Sequence, residues 1–103
     1  MKAWKAAEYR AARTLSGKRV VLSGGSGAGC RGDVELPGWH VEVKYRKQFS
    51  IFPLFFAAED VALAEGKNTL LILTQKGTQG QLAVMRIEYF NDLEGVKPNG
   101  RKG

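Results

Sequence analysis

Six successive residues, Thr69, Leu70, Leu71, Ile72, Leu73 and Thr74, form an apolar β-type run with no polar alternation. A strand of that kind suits the middle of a sheet whose two faces are both covered. The rest of the chain offers helices for that role. Residues 2–15 are rich in Ala, Lys, Glu and Arg; Trp4, Ala7, Ala11 and Leu15 recur at helical spacing as one inward stripe, and Ser16 and Gly17 end it. Glu8 stands beside this stripe, so its carboxylate falls at the edge of the buried side, whereas Arg10 and Arg13 point to solvent or phosphate. A second helix starts around Ser50 and Pro53, runs to about Glu65 and closes at Gly66. Its stripe is Leu54, Ala58, Val61, Ala62 and Glu65, flanked by Phe55 and Phe56.

The other segments read as strands. Residues 19–22 make a short one. Residues 34–36 lead through a Pro37–Gly38 turn into residues 39–45, where apolar and polar side chains alternate strongly. A turn at 76–80 joins the central run to a further strand at 82–90. The polar tail from about residue 94, with Pro98, Gly100 and Gly103, is expected to fray. With no repeat and no second domain, the 103 residues predict one α/β domain, a mixed central sheet flanked by helices.

Sixteen Lys and Arg against ten Asp and Glu give a net charge of +6 and a pI near 9.7. Such a balance favours a polyanionic partner, nucleic acid above all, because cations gain from phosphate contact whatever the base sequence; a basic solvated surface is the plainer alternative. No apolar run approaches the roughly 20 residues that span a bilayer. Lys2, Lys5, Glu8 and Arg10 interrupt any signal-peptide core. No membrane partner and a cytoplasmic location are therefore expected. The single cysteine, Cys30, excludes an internal disulfide framework and a cysteine-based zinc site.

Residues 23–32 contain five glycines and no bulky side chain. Gly24 and Gly29 match half of a nucleoside triphosphate loop, but Cys30 and Arg31 stand where Lys and Ser or Thr belong. Gly27, Gly29 and Gly32 match G-x-G-x-x-G, yet Asp33, Val34, Glu35, Leu36 and Pro37 do not open a helix, so the N-terminal amides that hold a pyrophosphate are missing. No nucleotide cofactor is expected; a glycine-permitted loop beside an active centre fits better.

The chemistry lies just downstream. Glu42 follows Asp33 by nine residues, and Lys44 follows Glu42 by two. On a strand, Glu42 and Lys44 share a face while Val41, Val43 and Tyr45 turn to the core, and a hairpin at Pro37–Gly38 returns Asp33 alongside Glu42. Two carboxylates so placed make a hard oxygen site for Mg²⁺ or Mn²⁺. The adjacent ammonium is placed to activate a water or to neutralise a phosphate in its transition state. An exposed strand with alternating charges would read the same from the Glu-Val-Lys triplet alone. The Asp33 spacing, the glycine loop, the inward Glu8 and the basic charge favour the site. His40, on the Glu42 face, is a third ligand, a base or a bystander.

Glu8 on a helix, Arg19, Ser23-Gly24, Gly32-Asp33 and Glu42-Val43-Lys44, followed by Tyr45-Arg46-Lys47-Gln48, resemble in their order the PD-(D/E)xK nuclease superfamily. Within it the likeness is greatest to the small archaeal-type Holliday junction resolvases, phage-carried versions included. The resemblance implies a restriction-endonuclease-like core and a Mg²⁺- or Mn²⁺-dependent endodeoxyribonuclease acting in DNA recombination and repair, in the host cytoplasm if phage-encoded. It implies that Asp33 and Glu42 are metal ligands, with the Val43 carbonyl as a third, and that Lys44 assists the attacking water. Glu8 would reach the metal through water or hold a basic residue in place. Ser23, or alternatively Ser26, would approach the scissile phosphate, and Gln48 the water or DNA. Gly32 replaces a frequent proline of the family, a mild departure because that proline carries no chemistry.

Arg10, Arg19, Arg31, Arg46 and Lys47 are the further DNA-contact candidates. Phe52, Phe55 and Phe56 exceed what one helix face buries, which points to a subunit interface or to core filling. The resemblance implies a two-fold homodimer whose paired sites cut opposed strands of a four-way junction. A restriction- or repair-type enzyme on duplex or flap DNA, and a non-catalytic nucleic-acid-binding module, are the alternatives.

Overall fold

In a computed structural model of the chain, residues 1–19 and 32–92 are described. The elements are α1 (Ala3–Leu15), β1 (Lys18–Arg19), β2 (Val34–Leu36), β3 (Trp39–Arg46), α2 (Ile51–Ala64), β4 (Asn68–Gln75), β5 (Leu82–Val84) and a 3₁₀ helix (Ile87–Asp92). The strands form one mixed sheet in the order β1-β2-β3-β4-β5, in which β3 and β4 are parallel and the other neighbours antiparallel. β2 to β5 are its main body, and the two-residue β1 extends one edge. Expectations for residues 20–22, the glycine segment up to Arg31 and the tail from 93 fall outside the described residues.

β4 is the buried central strand its composition demands: Thr69 to Thr74 are all buried. Its two faces meet different helices. Leu70 and Ile72 join Trp39, Val41 and Val43 beneath α1, where Ala7, Ala11, Ala12 and Leu15 let the helix approach closely. Leu71 and Leu73 pack against Phe55 of α2, which carries the crossover between the parallel strands β3 and β4.

α1 ends as expected, with Ser16 in the left-handed region and the Gly17 N–H donating to the Ala12 carbonyl. Trp4 departs from expectation. It has the azimuth of the buried stripe but is 46% exposed, and residues 1–5 are all exposed; burial of α1 begins in its second turn, at Ala7. The strand expected over 82–90 stops at Val84. Arg86 instead reaches α2, where Nε and Nη2 each donate to a Glu59 carboxylate oxygen at 2.8 Å. A two-bond fork fixes the guanidinium. The chain then turns into the 3₁₀ helix, with the Tyr89 N–H bonded to the Arg86 carbonyl.

The three phenylalanines divide. Phe55 is 5% exposed and fills the core, whereas Phe52 (73% exposed) and Phe56 (47%) stay on the surface. Phe55→Ala is expected to destabilise the fold by about 3–5 kcal/mol, and Phe52→Ala by no more than about 0.5 kcal/mol. Urea unfolding at low protein concentration measures both.

Candidate active site

β3 presents its functional residues by alternation. Trp39, Val41 and Val43 enter the core under α1, so His40, Glu42 and Lys44 project from the other face. There they stand beside Thr69, Leu71 and Leu73, their register partners on β4. The hairpin pairs Leu36 with Trp39 and Val34 with Val41, and Gly38 supplies the positive φ (83°) that its turn requires.

Asp33 precedes β2 and is fastened to β3 twice. Its backbone N–H donates to the Val41 carbonyl at 2.7 Å, and its Oδ2 accepts the Val43 N–H at 2.8 Å. The carboxylate thus does for Val43 what a ladder carbonyl would otherwise do. One lone pair of one oxygen is used, and an ionised carboxylate offers about four. Close approach requires Gly32: a Cβ there would lie 2.6 Å from the Val41 carbonyl oxygen and 3.1 Å from the Val41 nitrogen.

The two acids titrate in opposite directions. Burial pushes the Asp33 carboxyl up to about 6, aided by the negative charges of Glu42 and Glu8 and opposed by the Val43 hydrogen bond and the Lys44 ammonium. Burial would raise Glu42 as well, but the hydrogen bond from His40 and the Lys44 charge outweigh it and hold Glu42 below its ordinary value. Lys44 Nζ lies 3.6 Å from Glu42 Oε2.

Glu8, on the buried edge of α1, accepts a 2.7 Å hydrogen bond from Arg19 Nε. Of its two expected roles, this is the holding of a basic residue. The Arg19 guanidinium also lies 5.0 Å from the centre of the Tyr9 ring. Arg10 is exposed on α1, and Arg46, Lys47 and Gln48 are exposed where β3 ends. Ser23, Ser26 and Arg31 lie outside the described residues. The residues after Gly32 enter β2 rather than a helix.

Asp33 and Glu42 are the side chains here able to hold a hard cation, next to the main chain of Val43. Among the described residues, no group of three or more His, Cys, Asp and Glu gathers closely enough to hold a metal ion. His40 does not join such a group. It is 1% exposed, with Nε2 at 3.1 Å from Glu42 Oε1 and Nδ1 at 3.1 Å from Glu65 Oε1. Glu65 is the contact that sequence reasoning missed, having assigned it to the apolar stripe of α2. One signal was present: an acidic residue at a helix C-terminus opposes the helix dipole and needs a cationic partner.

Comparison with protein-family models, curated proteins and solved structures finds no match to the chain. The described residues form one compact α/β domain, a mixed sheet between helices, with an acidic pair and a lysine at its β2–β3 hairpin. No helix among the described residues is long and apolar enough to cross a membrane.

Proposed function

We propose that the protein is a metal-dependent endodeoxyribonuclease with a restriction-endonuclease-like core, which resolves four-way DNA junctions as a homodimer. The observation that carries this reading is the docking of Asp33 onto the Val43 N–H at 2.8 Å, beside Glu42 and its 3.6 Å partner Lys44. Supporting it are the +6 charge and the exposed Arg46 and Lys47 at the end of the same strand.

The donor chemistry fits Mg²⁺ or Mn²⁺. Two carboxylates and a backbone carbonyl are hard oxygen ligands, and Mg²⁺ commonly takes one or two carboxylates, completing its octahedron with water and substrate phosphate. Asp33 and Glu42 repel each other, and a divalent cation held by the two would relieve that repulsion. When bound, such an ion supplies Lewis-acid charge neutralisation at the phosphate.

The chain's own groups do the rest. Lys44 places a positive charge where the phosphate gains negative charge, and orients the water that attacks phosphorus. The water oxygen bonds to phosphorus and releases a proton to solvent, the P–O3′ bond breaks, O3′ takes a proton from solvent, and the products would carry 5′-phosphate and 3′-hydroxyl ends. Exposed Phe52 and Phe56 are the interface candidates, their rings 6.0 Å apart on α2.

Incubation with a four-way junction, a flap and a linear duplex in Mg²⁺ or Mn²⁺ tests the proposal. Paired, symmetric nicks in the junction are expected. Cutting only of flap or duplex would move the protein to the restriction- or repair-type class, and no cutting with any divalent ion would overturn the nuclease reading. The absence, among the described residues, of a third acid or histidine gathered with this pair to hold a metal ion favours a second reading, a non-catalytic nucleic-acid-binding module. That reading predicts no heat of Mn²⁺ binding by calorimetry.

A further inference from the structure

His40 is buried between two carboxylates, and its position is not that of a bystander. Both ring nitrogens face a carboxylate oxygen at 3.1 Å, Nε2 towards Glu42 and Nδ1 towards Glu65. Both hydrogen-bonding positions of the ring are thus taken by protein carboxylates, one from its own strand and one from α2. The row continues at either end: Lys67 Nζ lies 3.9 Å from Glu65 Oε1, and Lys44 Nζ lies 3.6 Å from Glu42 Oε2. Basic and acidic side chains therefore alternate along Lys67, Glu65, His40, Glu42 and Lys44. The row runs from the C-terminal end of α2 to the candidate active site.

We infer that Glu65 and His40 are positioning residues for Glu42: Glu65 fixes the imidazole, and the imidazole fixes Glu42 Oε1 in one orientation. This deepens the nuclease reading and rests on it for the importance of Glu42. Three features favour positioning over simple packing. A buried ring held at both nitrogens cannot rotate without losing a hydrogen bond. Glu65 is the C-cap of α2, where the helix dipole disfavours a negative charge, so its placement needs the compensation that His40 and Lys67 provide. A carboxylate held in one rotamer also loses less freedom when it binds a cation or a water. Glu65 belongs to the helix that connects β3 to β4, so the geometry of Glu42 is set from outside its own hairpin.

His40 is the single histidine of the chain, so its ring nitrogens give unassignable overlap with no other residue in ¹⁵N spectra. The test reads those nitrogens and the Glu42 side-chain carboxyl ¹³C signal, then Mn²⁺ affinity by calorimetry, then kcat and KM for junction cleavage. Glu65→Ala is expected to shift the His40 Nδ1 signal, because that nitrogen loses its carboxylate partner. Glu65→Ala is expected to move the Glu42 carboxyl signal, to weaken Mn²⁺ binding about tenfold, and to lower kcat roughly 10- to 100-fold with KM unchanged. Glu65→Gln keeps an oxygen to accept the Nδ1–H bond, and it recovers most of each loss. A Glu42 signal that stays in place in Glu65→Ala overturns the relay. In a protein that cuts junctions, so does a Glu65→Ala variant with wild-type Mn²⁺ affinity and kcat, whatever its Tm. The carbon signal needs neither metal nor DNA. A wild type that binds no Mn²⁺ and cuts nothing therefore overturns the nuclease reading separately, while the spectrum still decides the relay.

Discussion

Asp33→Ala and Glu42→Ala are each expected to lower junction cleavage by roughly a thousandfold or more, the order lost when a principal charge-stabilising group is removed. Junction affinity should stay unchanged or tighten slightly, because binding draws on Lys and Arg facing phosphates and each variant removes a negative charge. Single-turnover cleavage alongside gel-shift titration separates the two effects. Asp33→Asn sharpens the test by joining catalysis to stability. Folding raises the Asp33 pKa from the ordinary carboxylate range near 3.9 to about 6, chiefly through burial. The native state therefore binds more protons than the unfolded chain between about pH 4 and 6, and stability falls as pH rises through that window. Above it the ionised Asp33 carries its full cost. Asparagine keeps an oxygen for the Val43 N–H and removes the charge. In EDTA at pH 7.5, Asp33→Asn should be more stable than the wild type by about 1 kcal/mol after allowance for solvent screening, or roughly 5 °C in Tm. Below about pH 4 the difference should close. A variant that is inactive yet more stable at neutral pH is the signature of a residue kept for chemistry at the expense of the fold.

The features of this site that were readable in advance are those governed by local periodicity. Alternation along residues 39–45 sends Val41 and Val43 inward and leaves Glu42 and Lys44 together, and a two-residue Pro37–Gly38 turn sets the register that returns Asp33 to β3. The apolar run at 69–74 likewise had one reading, a strand covered on both sides. What escaped depends on partners far away in the chain. β5 ends at Val84, and Arg86 two residues on pairs with Glu59, 27 residues earlier, through a two-oxygen fork that no local pattern announces. Trp4 has the right azimuth for burial, but how far along α1 the core reaches is a property of the packed molecule. Glu65 looked like the last member of an amphipathic stripe; only the parallel β3–α2–β4 connection brings it to His40, 25 residues away. Glu8 shows the intermediate case. Helical spacing placed it at the buried edge, but that Arg19 would occupy it required the fold of β1 against α1.

Gly32 sets the remaining large effect. The resemblance treated the replacement of proline at this position as chemically mild, and the structure gives glycine a steric reason. A Cβ on residue 32 would meet the Val41 carbonyl oxygen at 2.6 Å, the Val41 nitrogen at 3.1 Å and the Val41 carbonyl carbon at 3.3 Å. All three are backbone atoms of the central hairpin strand, so no side chain can swing aside; the chain before Asp33 must lift away from β3 instead. That movement strains the two bonds that dock Asp33, at 2.7 Å through its N–H and 2.8 Å through its carboxylate. Gly32→Ala is therefore expected to cost about 1–3 kcal/mol of stability, the range for overpacking a site that cannot relax. Cleavage should fall by roughly a hundredfold, because a displacement near 1 Å of a reacting group costs that much. Gly17→Ala is the control. Its Cβ would lie 2.6 Å from the Glu35 carbonyl oxygen and 2.8 Å from Val34 Cγ1, a comparable clash on the β1 side of β2 rather than the β3 side on which Asp33 docks. Assayed well below both melting temperatures, Gly17→Ala should lose stability but retain near-wild-type cleavage, whereas Gly32→Ala should lose both. Equal cleavage in the two variants would mean that the docking of Asp33 on Val41 and Val43 does not govern the reaction, and the site would have to be sought elsewhere on the sheet.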